Sequence, residues 1–372
     1  MRIAVHVGGR ELGGSERQVE ILVRGLVSRG HQVAASAPSG TPASRALAEA
    51  GATVTGTRPR GDVDPISLAR FVAWLRRTRP DALLATSWKR ASAVLLAGHL
   101  AGVPRIVLRL GGPQADRGHL GDRARAYAMK RWMNAAYGNS TELRDRLRAY
   151  APDLPHTRVI VIPNAIRPVR ADPAPLRAHL GLSSEVPLVL SVGGLERKKG
   201  VDVLLRAVHH FGRKDAHLVV AGAGPEHAAL QRLAAALNVA ERVHLLGHRS
   251  DVPSLLASCD AFALASNADS TPNAVLEAMG AGLPVVMTAT AGAAELLGAR
   301  PGHPPAGWVV PIGDSAALAG AVDQALTPAA HPRLREASRR VQEEHDPEQT
   351  LTLLEALLHS IDPGPPGGAP AR

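Results

Sequence analysis

The chain is poor in several features that would direct its function elsewhere. Among 372 residues there is one cysteine, and only 3% of the chain is Phe, Trp or Tyr. A lone thiol, Cys259, excludes an internal disulfide, so nothing implies an oxidising compartment. In SCDAFALAS it reads as a buried structural thiol at the start of a strand. Without paired zinc ligands or an aromatic RNP-like strand, no recognition module for nucleic acid is evident, and no specific nucleic-acid partner is expected. No run of about 18 apolar residues occurs, so no transmembrane helix is expected. The longest apolar stretch, 91–103, contains His99 and reads as a buried helix. The opening MRIAVHVGGR turns polar too soon for a signal peptide, and a cytoplasmic location is expected. No His/Asp cluster resembles a metal site, and neither a metal nor an organic cofactor is expected.

Alanine, glycine, proline and arginine are abundant, and the length suits two domains of ordinary size, each with its own core. Charge is unevenly placed. Residues 1–165 hold 25 Lys/Arg against 12 Asp/Glu, a net +13, whereas residues 166–372 hold 18 against 21, a net −3. The excess in the first half suggests an anionic partner: a membrane surface, nucleic acid or a phosphorylated acceptor. A solvated arginine-rich face is the plainer alternative.

Strand and helix patterns alternate twice along the chain. MRIAVHV reads as a strand. SERQVEILVRGLVSRG reads as a helix with Val19, Leu22, Val23, Leu26 and Val27 on one face, Ser15 as its cap and Gly30 as its stop. QVAASA, ATVTGT, DALLATS and RIVLRL read as further strands, with PISLARFVAWLRRTRP and KRASAVLLAGHLAG as helices between them. Such alternation implies βαβ crossovers and a parallel sheet. Five prolines from Pro155 to Pro175 mark a linker near residue 165. The alternation then resumes, with strands at PLVLSVGGL, AHLVVAGAG, RVHLLGH, DAFALAS, LPVVMT and GWVVPI. Two helices, near 331–345 and 347–360, follow, and residues 361–372 are expected to be disordered.

The most informative stretch is Asp269–Pro284, DSTPNAVLEAMGAGLP. Ser270 and Thr271 are N-cap residue types, and Pro272 suits the first helical position. Gly280 and Gly282 end the helix, and Pro284 forbids its return. The helix start, Ser270, Thr271, Pro272, Asn273 and Ala274, offers a seat for phosphate. Asp269 and Glu277 bracket it, and a carboxylate one turn in can accept hydrogen bonds from a pair of sugar hydroxyls. A second stretch, SVGGLERKKGVDVLLRAV, places Arg197, Lys198 and Lys199 where a helix begins. Cations there oppose the helix dipole, so the basic turn points to an anion.

These segments resemble the retaining GT-B glycosyltransferases of family 4, glycosyl transferases group 1. The family's signature runs E-G-F-P-N-x-x-x-E-A-M-A-x-G-x-P-V. Here P-N, E-A-M, the second glycine and P-V-V match, and the first acid is Asp269, one methylene shorter than Glu. The family's V-G-R-L-x-x-x-K-G turn is met at Gly193, Lys199 and Gly200. Its arginine is replaced by Gly194, with Arg197 close by to supply charge. RVIVIPNAI, 158–166, resembles the strand that opens the family's donor domain, with Asn164 kept. VVAGAGP, 219–225, resembles a V-G-x-G-P turn in which Gly222 and Gly224 admit close approach of a ligand. The 242–266 segment resembles the part that holds the nucleobase, at His248 and Arg249. TATAGAAELL resembles a G-G-x-x-E loop, with Gly292 and Glu295 kept. Gly13 and Gly14 match the glycine-rich loop after strand one, which is not G-x-G-x-x-G and so weakens a nicotinamide reading.

The resemblance implies an α/β fold of the GT-B class, two Rossmann-like doubly wound domains facing a central cleft. Residues 1–165 would form the acceptor-side domain, 166–345 the donor domain, and 346–360 a helix crossing back to the first. It implies transfer of a sugar from a nucleotide-diphosphate sugar with retention of configuration. Lys199, Asp269 and Glu277 would be catalytic. Lys199, helped by Arg197 and the helix start, would neutralise the departing diphosphate. Asp269 would bind hydroxyls of the transferred sugar, and Glu277 those of the ribose. Closure of the two domains on substrate is expected.

The basic first half fits a lipid-linked or cell-envelope glycan as acceptor. RGHLGDRARAYAMKRW, 117–132, brings Arg123, Tyr127, Lys130 and Arg131 together on a helix, which suits a peripheral contact with anionic lipid on the inner face of the cell membrane. A plain solvated helix is the alternative. RIVLRL runs into Gly111-Gly112-Pro113, with Arg109 at its end and His119 beyond. Either suits an acceptor site, and neither is given a catalytic role. Three other readings stay open: a sugar-nucleotide epimerase of the same fold, a nucleic-acid-binding protein using the basic half, and an inactive scaffold lacking the diphosphate arginine.

Overall fold

The computed structural model describes residues 1–61, 64–111, 120–150, 152–155, 158–166 and 171–362. Gly112, Pro113, His119 and the final ten residues lie outside that set. The chain divides into two compact units, residues 1–165 with 347–372, and residues 166–346.

In the first unit the alternation is β1 (Arg2–His6), α1 (Gly14–Ser28), β2 (Gln32–Ser36), α2 (Pro42–Glu49), β3 (Thr53–Thr55), α3 (Pro65–Thr78) and β4 (Ala82–Ala85). It continues with α4 (Ala91–Leu100), β5 (Ile106–Leu110), α5 (Leu120–Trp132), β6 (Ala135–Gly138), α6 (Thr141–Tyr150) and β7 (Val159–Val161). The sheet order is β3-β2-β1-β4-β5-β6-β7, and every described pairing is parallel. Both faces are therefore covered, and the central strands are apolar throughout: Ala82–Ala85 is buried at all four positions. One face packs Val19, Leu22, Val23 and Leu26 of α1 against β1 and β2. The other packs Phe71, Leu75, Val94 and Leu95 of α3 and α4 against β4 and β5.

The second unit repeats the plan. It runs α7 (Leu176–His179), β8 (Leu188–Val192), α8 (Val201–His210), β9 (His217–Ala221), α9 (His227–Ala236), β10 (Val243–Leu245) and α10 (Val252–Ser258). It continues with β11 (Ala261–Leu264), α11 (Asn273–Gly280), β12 (Val285–Thr288), α12 (Ala293–Leu297), β13 (Trp308–Val310), α13 (Ser315–Ala325) and α14 (His331–Glu344). The order β10-β9-β8-β11-β12-β13 is again parallel throughout. Cys259 is buried between α10 and β11, where loss of solvent pushes its thiol up to about 12.

The final helix, α15 (Pro347–His359), belongs to the first unit. Leu351, Leu354, Leu357 and Leu358 join the α1 face of that core. Arg29 grips Glu348 and Glu355 at 2.7 and 2.6 Å, which fixes the helix lengthwise.

Three expectations need correction. The strand in RVIVIPNAI does not open the second unit: Val159–Val161 pairs with Ala136–Gly138 and closes the edge of the first sheet. Its partner β6, AAYG, is built mostly of small residues, which carry little hydrophobic signal in the sequence. Ser15 does not cap α1. Gly13 holds the N-cap position, and the Ser15 hydroxyl inside the first turn accepts from Arg109 instead. Ile361 is not part of a loose tail, because its side chain is fully buried and its carbonyl accepts from Arg105 Nε at 3.1 Å.

Candidate functional site

Because all six strands of the second sheet run parallel, the loops leaving β8, β9, β10, β11 and β12 emerge along one edge. Strand order reverses between β8 and β11, and ligands of open α/β sheets sit outside the carboxyl ends at such a switch point. The expected residues of this unit lie on those loops or just behind them. Gly193, Arg197 and Lys199 follow β8, Gly222 and Gly224 follow β9, and His248 and Arg249 follow β10. Asp269 to Ala274 follow β11, and Glu277 stands half-buried in the second turn of α11.

The loops are locked to one another by backbone. Gly200, at φ +61, ends a 3-10 turn formed by Arg197–Lys199, and a Cβ there would lie 2.0 Å from the Ala265 carbonyl oxygen. Asn267 N–H donates to the Lys198 carbonyl at 2.8 Å. The turn after β8 is thus pressed onto the turn after β11. The consequence is the central contact of the site: Lys199 Nζ donates to both oxygens of Asp269, at 3.0 and 2.8 Å. The two side chains are only 22% and 19% exposed, so the pair is shielded well beyond an ordinary surface bridge. The sequence reading gave these residues separate partners, a diphosphate and a sugar. The structure pairs them with each other.

Several local expectations change. Pro272 does not occupy the first helical position; at φ −70° and ψ 123° it is extended and serves as the N-cap, so neither Ser270 nor Thr271 caps α11. Ser270 is buried, with its carbonyl so close to Gly292 that a Cβ there would lie 1.6 Å away. Gly222 and Gly224 are glycines for the sake of the protein's own backbone. A Cβ would fall 1.8 Å from the Gly193 carbonyl oxygen at the first and 2.4 Å from that of Leu195 at the second. Gly194, by contrast, has room, since its nearest neighbour to a Cβ is Glu196 Oε1 at 3.4 Å.

Arg197 does not reach the Lys199–Asp269 pair. Its guanidinium, 91% exposed, lies 3.5 Å from Glu226, and the two line a cavity of about 370 Å³ together with Asp202 and Asn267. Arg249 is engaged with Asp251 at 2.5 Å; the hydrogen bond raises the arginine's pKa and lowers the carboxylate's. This fork shapes the loop before α10. His248 is exposed. A larger cavity, about 500 Å³, lies by Pro187, Asp260 and Pro284 at the amino ends of the strands, away from these residues.

One residue the sequence did not flag supports the edge from behind. Arg340 of α14 is fully buried and donates to the carbonyls of Leu296 and Gly298 at 2.9 and 2.8 Å, and to Glu336. Glu336 is held down at about 2, by Arg339 first and then Arg340 against the penalty of burial. In the sequence this arginine looks like any other on an amphipathic helix, so only packing reveals it. Glu295, just ahead of the braced segment, is exposed.

In the first unit Gly13 and Gly14 are exposed at the start of α1. Arg109 is buried, donating to Ser15 Oγ and Asn164 Oδ1, both at 3.2 Å. It braces that loop and does not line a surface. Among the described residues no group of three or more His, Cys, Asp or Glu stands ready to hold a metal ion. No described helix is long and apolar enough to cross a membrane.

Comparison with known proteins gives this arrangement a family. Residues 174–342 match the family model for glycosyl transferases group 1, and residues 13–165 that for the glycosyl transferase 4-like domain. The lipopolysaccharide core biosynthesis glycosyltransferase LpsE of Rhizobium meliloti is 30% identical over 84% of this chain and 85% of its own. LpsD of the same organism is 27% identical over 86% and 85%. Among solved structures, Anabaena HepE in complex with UDP-glucose superposes with a TM-score of 0.83 at 20% identity, covering 97% of this chain and 100% of that one. WaaG, a glycosyltransferase involved in lipopolysaccharide biosynthesis, gives 0.70 at 20% identity over 97% and 100%. The fold is the two-unit, Rossmann-like α/β arrangement of GT-B, and the chain is a glycosyltransferase belonging to the glycosyl transferases group 1 family.

Proposed function

We propose that the protein transfers a sugar, with retention of configuration, from a nucleoside-diphosphate sugar to a cell-envelope glycan, and that the carboxyl edge of the second unit binds the donor. The observation that carries this reading is the Lys199–Asp269 pair. A cation and a carboxylate lie together beside the start of a helix, where a diphosphate and its sugar would meet. The diphosphate takes Lys199 and the first turn of α11. Asp269, released from the lysine, accepts hydrogen bonds from hydroxyls of the sugar, and Glu277 accepts those of the ribose.

Cleavage of the bond between the anomeric carbon and the phosphate oxygen leaves extra negative charge on the diphosphate. A fixed cation stabilises that state more than the ground state. The acceptor oxygen bonds to the anomeric carbon on the same face, and its proton passes to the departing phosphate oxygen. Lys199 supplies the required positive charge, so the scheme calls on no metal ion or organic cofactor.

The envelope-glycan acceptor is supported by the lipopolysaccharide relatives and by the basic first unit, which we assign to the acceptor. The exposed Arg123, Tyr127, Lys130 and Arg131 of α5 would rest on anionic lipid. The test is a panel of nucleotide sugars with the purified protein, repeated with Lys199→Ala and Glu277→Ala. Binding and transfer by wild type, lost in both variants, support the reading. Free epimer formation without transfer, or variants that bind and transfer like wild type, would end it.

A further inference from the structure

In the first unit, strands β3, β2, β1 and β4 are neighbours, so the loops leaving them share one edge. Four arginines gather there: Arg10 after β1, Arg58 and Arg60 after β3, and Arg90 after β4. The loops touch. A Cβ on Gly8 would lie 2.5 Å from Ser87 Oγ and 3.1 Å from Arg90 Nη1, and Arg90 reaches the Gly8 carbonyl at 3.4 Å. Among the described residues none of the four arginines has an ion-pair partner, and the N–H groups of Gly8, Gly9 and Arg10 have no acceptor. Two described carboxylates lie close by. Asp64 caps α3 and feels Arg60, and Glu16 lies over Gly9 and is felt by Arg109.

The cluster is built from beneath. Ser36 Oγ donates to the Thr57 carbonyl at 2.7 Å, so His6 Nδ1, 3.3 Å away, must be the donor to Ser36. That leaves His6 neutral, fully buried, with Nε2 unpartnered. Burial, then Arg90 and Arg58, push its pKa down to about 3, and burial, then repulsion from Arg90, Arg10 and Arg60, lowers that of Arg58. This buried chain fixes the backbone from which Arg58 projects. Like charges assembled without a counter-ion are costly, and an anion with several oxygens relieves them. Three guanidinium forks and a run of backbone N–H groups suit phosphate better than a single carboxylate.

We propose that this edge binds a phosphate or diphosphate group carried by the acceptor, held by Arg10, Arg58 and Arg90 with the N–H groups of Gly8 to Arg10. The proposal rests on the glycosyltransfer reading for the word acceptor, but the site itself can be tested separately. Titration calorimetry of the whole chain with inorganic pyrophosphate, in saturating UDP, isolates it from the donor site. Wild type should bind, and an Arg58→Ala/Arg90→Ala variant should bind at least about ten-fold more weakly with UDP affinity unchanged. The exposed Arg10→Ala should weaken binding without risk to folding. UDP that abolishes all pyrophosphate binding to wild type, or variants that bind like wild type, would overturn the site. If UDP itself does not bind, the donor reading fails, and the arginine variants titrated without UDP still decide this one. Phosphatidylglycerol vesicles identify the source. A parallel loss in the variants supports a lipid-borne phosphate at this site, and unchanged vesicle binding supports a soluble one. A DNA oligonucleotide that binds where pyrophosphate does not would replace the proposal with nucleic-acid binding.

Discussion

Lys199 and Asp269 should respond to mutation with opposite signs when UDP binding is measured. In the free protein the ammonium is tied to both carboxylate oxygens at 2.8 and 3.0 Å. An exposed pair couples by about 0.2–1 kcal/mol, and removing one partner of a buried pair costs about 3–5 kcal/mol. With 22% and 19% exposure this pair falls between, so its coupling should be about 1–3 kcal/mol. A diphosphate that recruits Lys199 must first displace Asp269 and meet that cost. Asp269→Asn removes the competitor and a negative charge beside the phosphates. UDP should then bind about ten-fold more tightly, since about 1.4 kcal/mol is a factor of ten. Lys199→Ala removes a charged hydrogen bond to the ligand, worth about 1.5–3 kcal/mol, and should weaken UDP by about ten- to a hundred-fold.

Sugar transfer should fall in both variants, because Asp269 is proposed to engage only the sugar. Calorimetry of UDP binding with single-turnover transfer by the same preparations reads these signs. A urea double-mutant cycle on the ligand-free protein reads the coupling. If Asp269→Asn weakens UDP, then Asp269 is a ligand of the nucleotide and not a rival for the lysine. Coupling under about 0.3 kcal/mol would mean that the pair is not formed in solution.

Gly194→Arg should fit, because its Cβ meets nothing nearer than 3.4 Å and its φ is not in the left-handed region. Restoring a cation beside the diphosphate should tighten UDP by about ten-fold with unchanged thermal stability; a fall in melting temperature would show that the turn needs glycine. His6 should make the protein acid-sensitive. Its folded pKa of about 3 lies below the ordinary 6.5, so only the unfolded chain takes up a proton as pH falls between them. Stability should drop with a slope that rises to about 1.4 kcal/mol per unit, or by about 1.6 kcal/mol from pH 6.5 to 5. His6→Asn, which keeps a donor for Ser36, should remove that component from urea titrations, and an equal pH loss in both proteins would count against it.

The sequence carried the architecture because local and global signals agree. The alternating apolar runs, the glycine stops and the proline-rich stretch near residue 165 all describe two parallel sheets, and the six-stranded sheet repeats the order of the first six strands of the seven-stranded one. It failed at β6, whose small residues gave no signal, and at β7, where resemblance to a motif outweighed pairing. It also placed Lys199, Asp269 and the start of α11 on one segment map without showing that the first two touch. Seventy residues separate them, and contact across such a distance follows from backbone packing that sequence periodicity does not encode.

The glycines show the same limit from the other direction. Gly222 and Gly224 matched a motif and invited a ligand-contact role, yet each is demanded by a carbonyl oxygen of the neighbouring loop. Gly194 matched nothing and stood where an arginine was expected, and it alone among these has space for a side chain. A glycine with a carbonyl 1.8 Å from its missing Cβ is fixed by the fold whatever the ligand. One with only a carboxylate oxygen at 3.4 Å is not. The close-packed glycines therefore hold this edge together, and the open one is where a cation can be added without disturbing it, beside the diphosphate if the proposed donor site is right. On the proposed reading Lys199 is accordingly the principal cation of the site, and its ion pair with Asp269 would set how tightly a nucleotide is held.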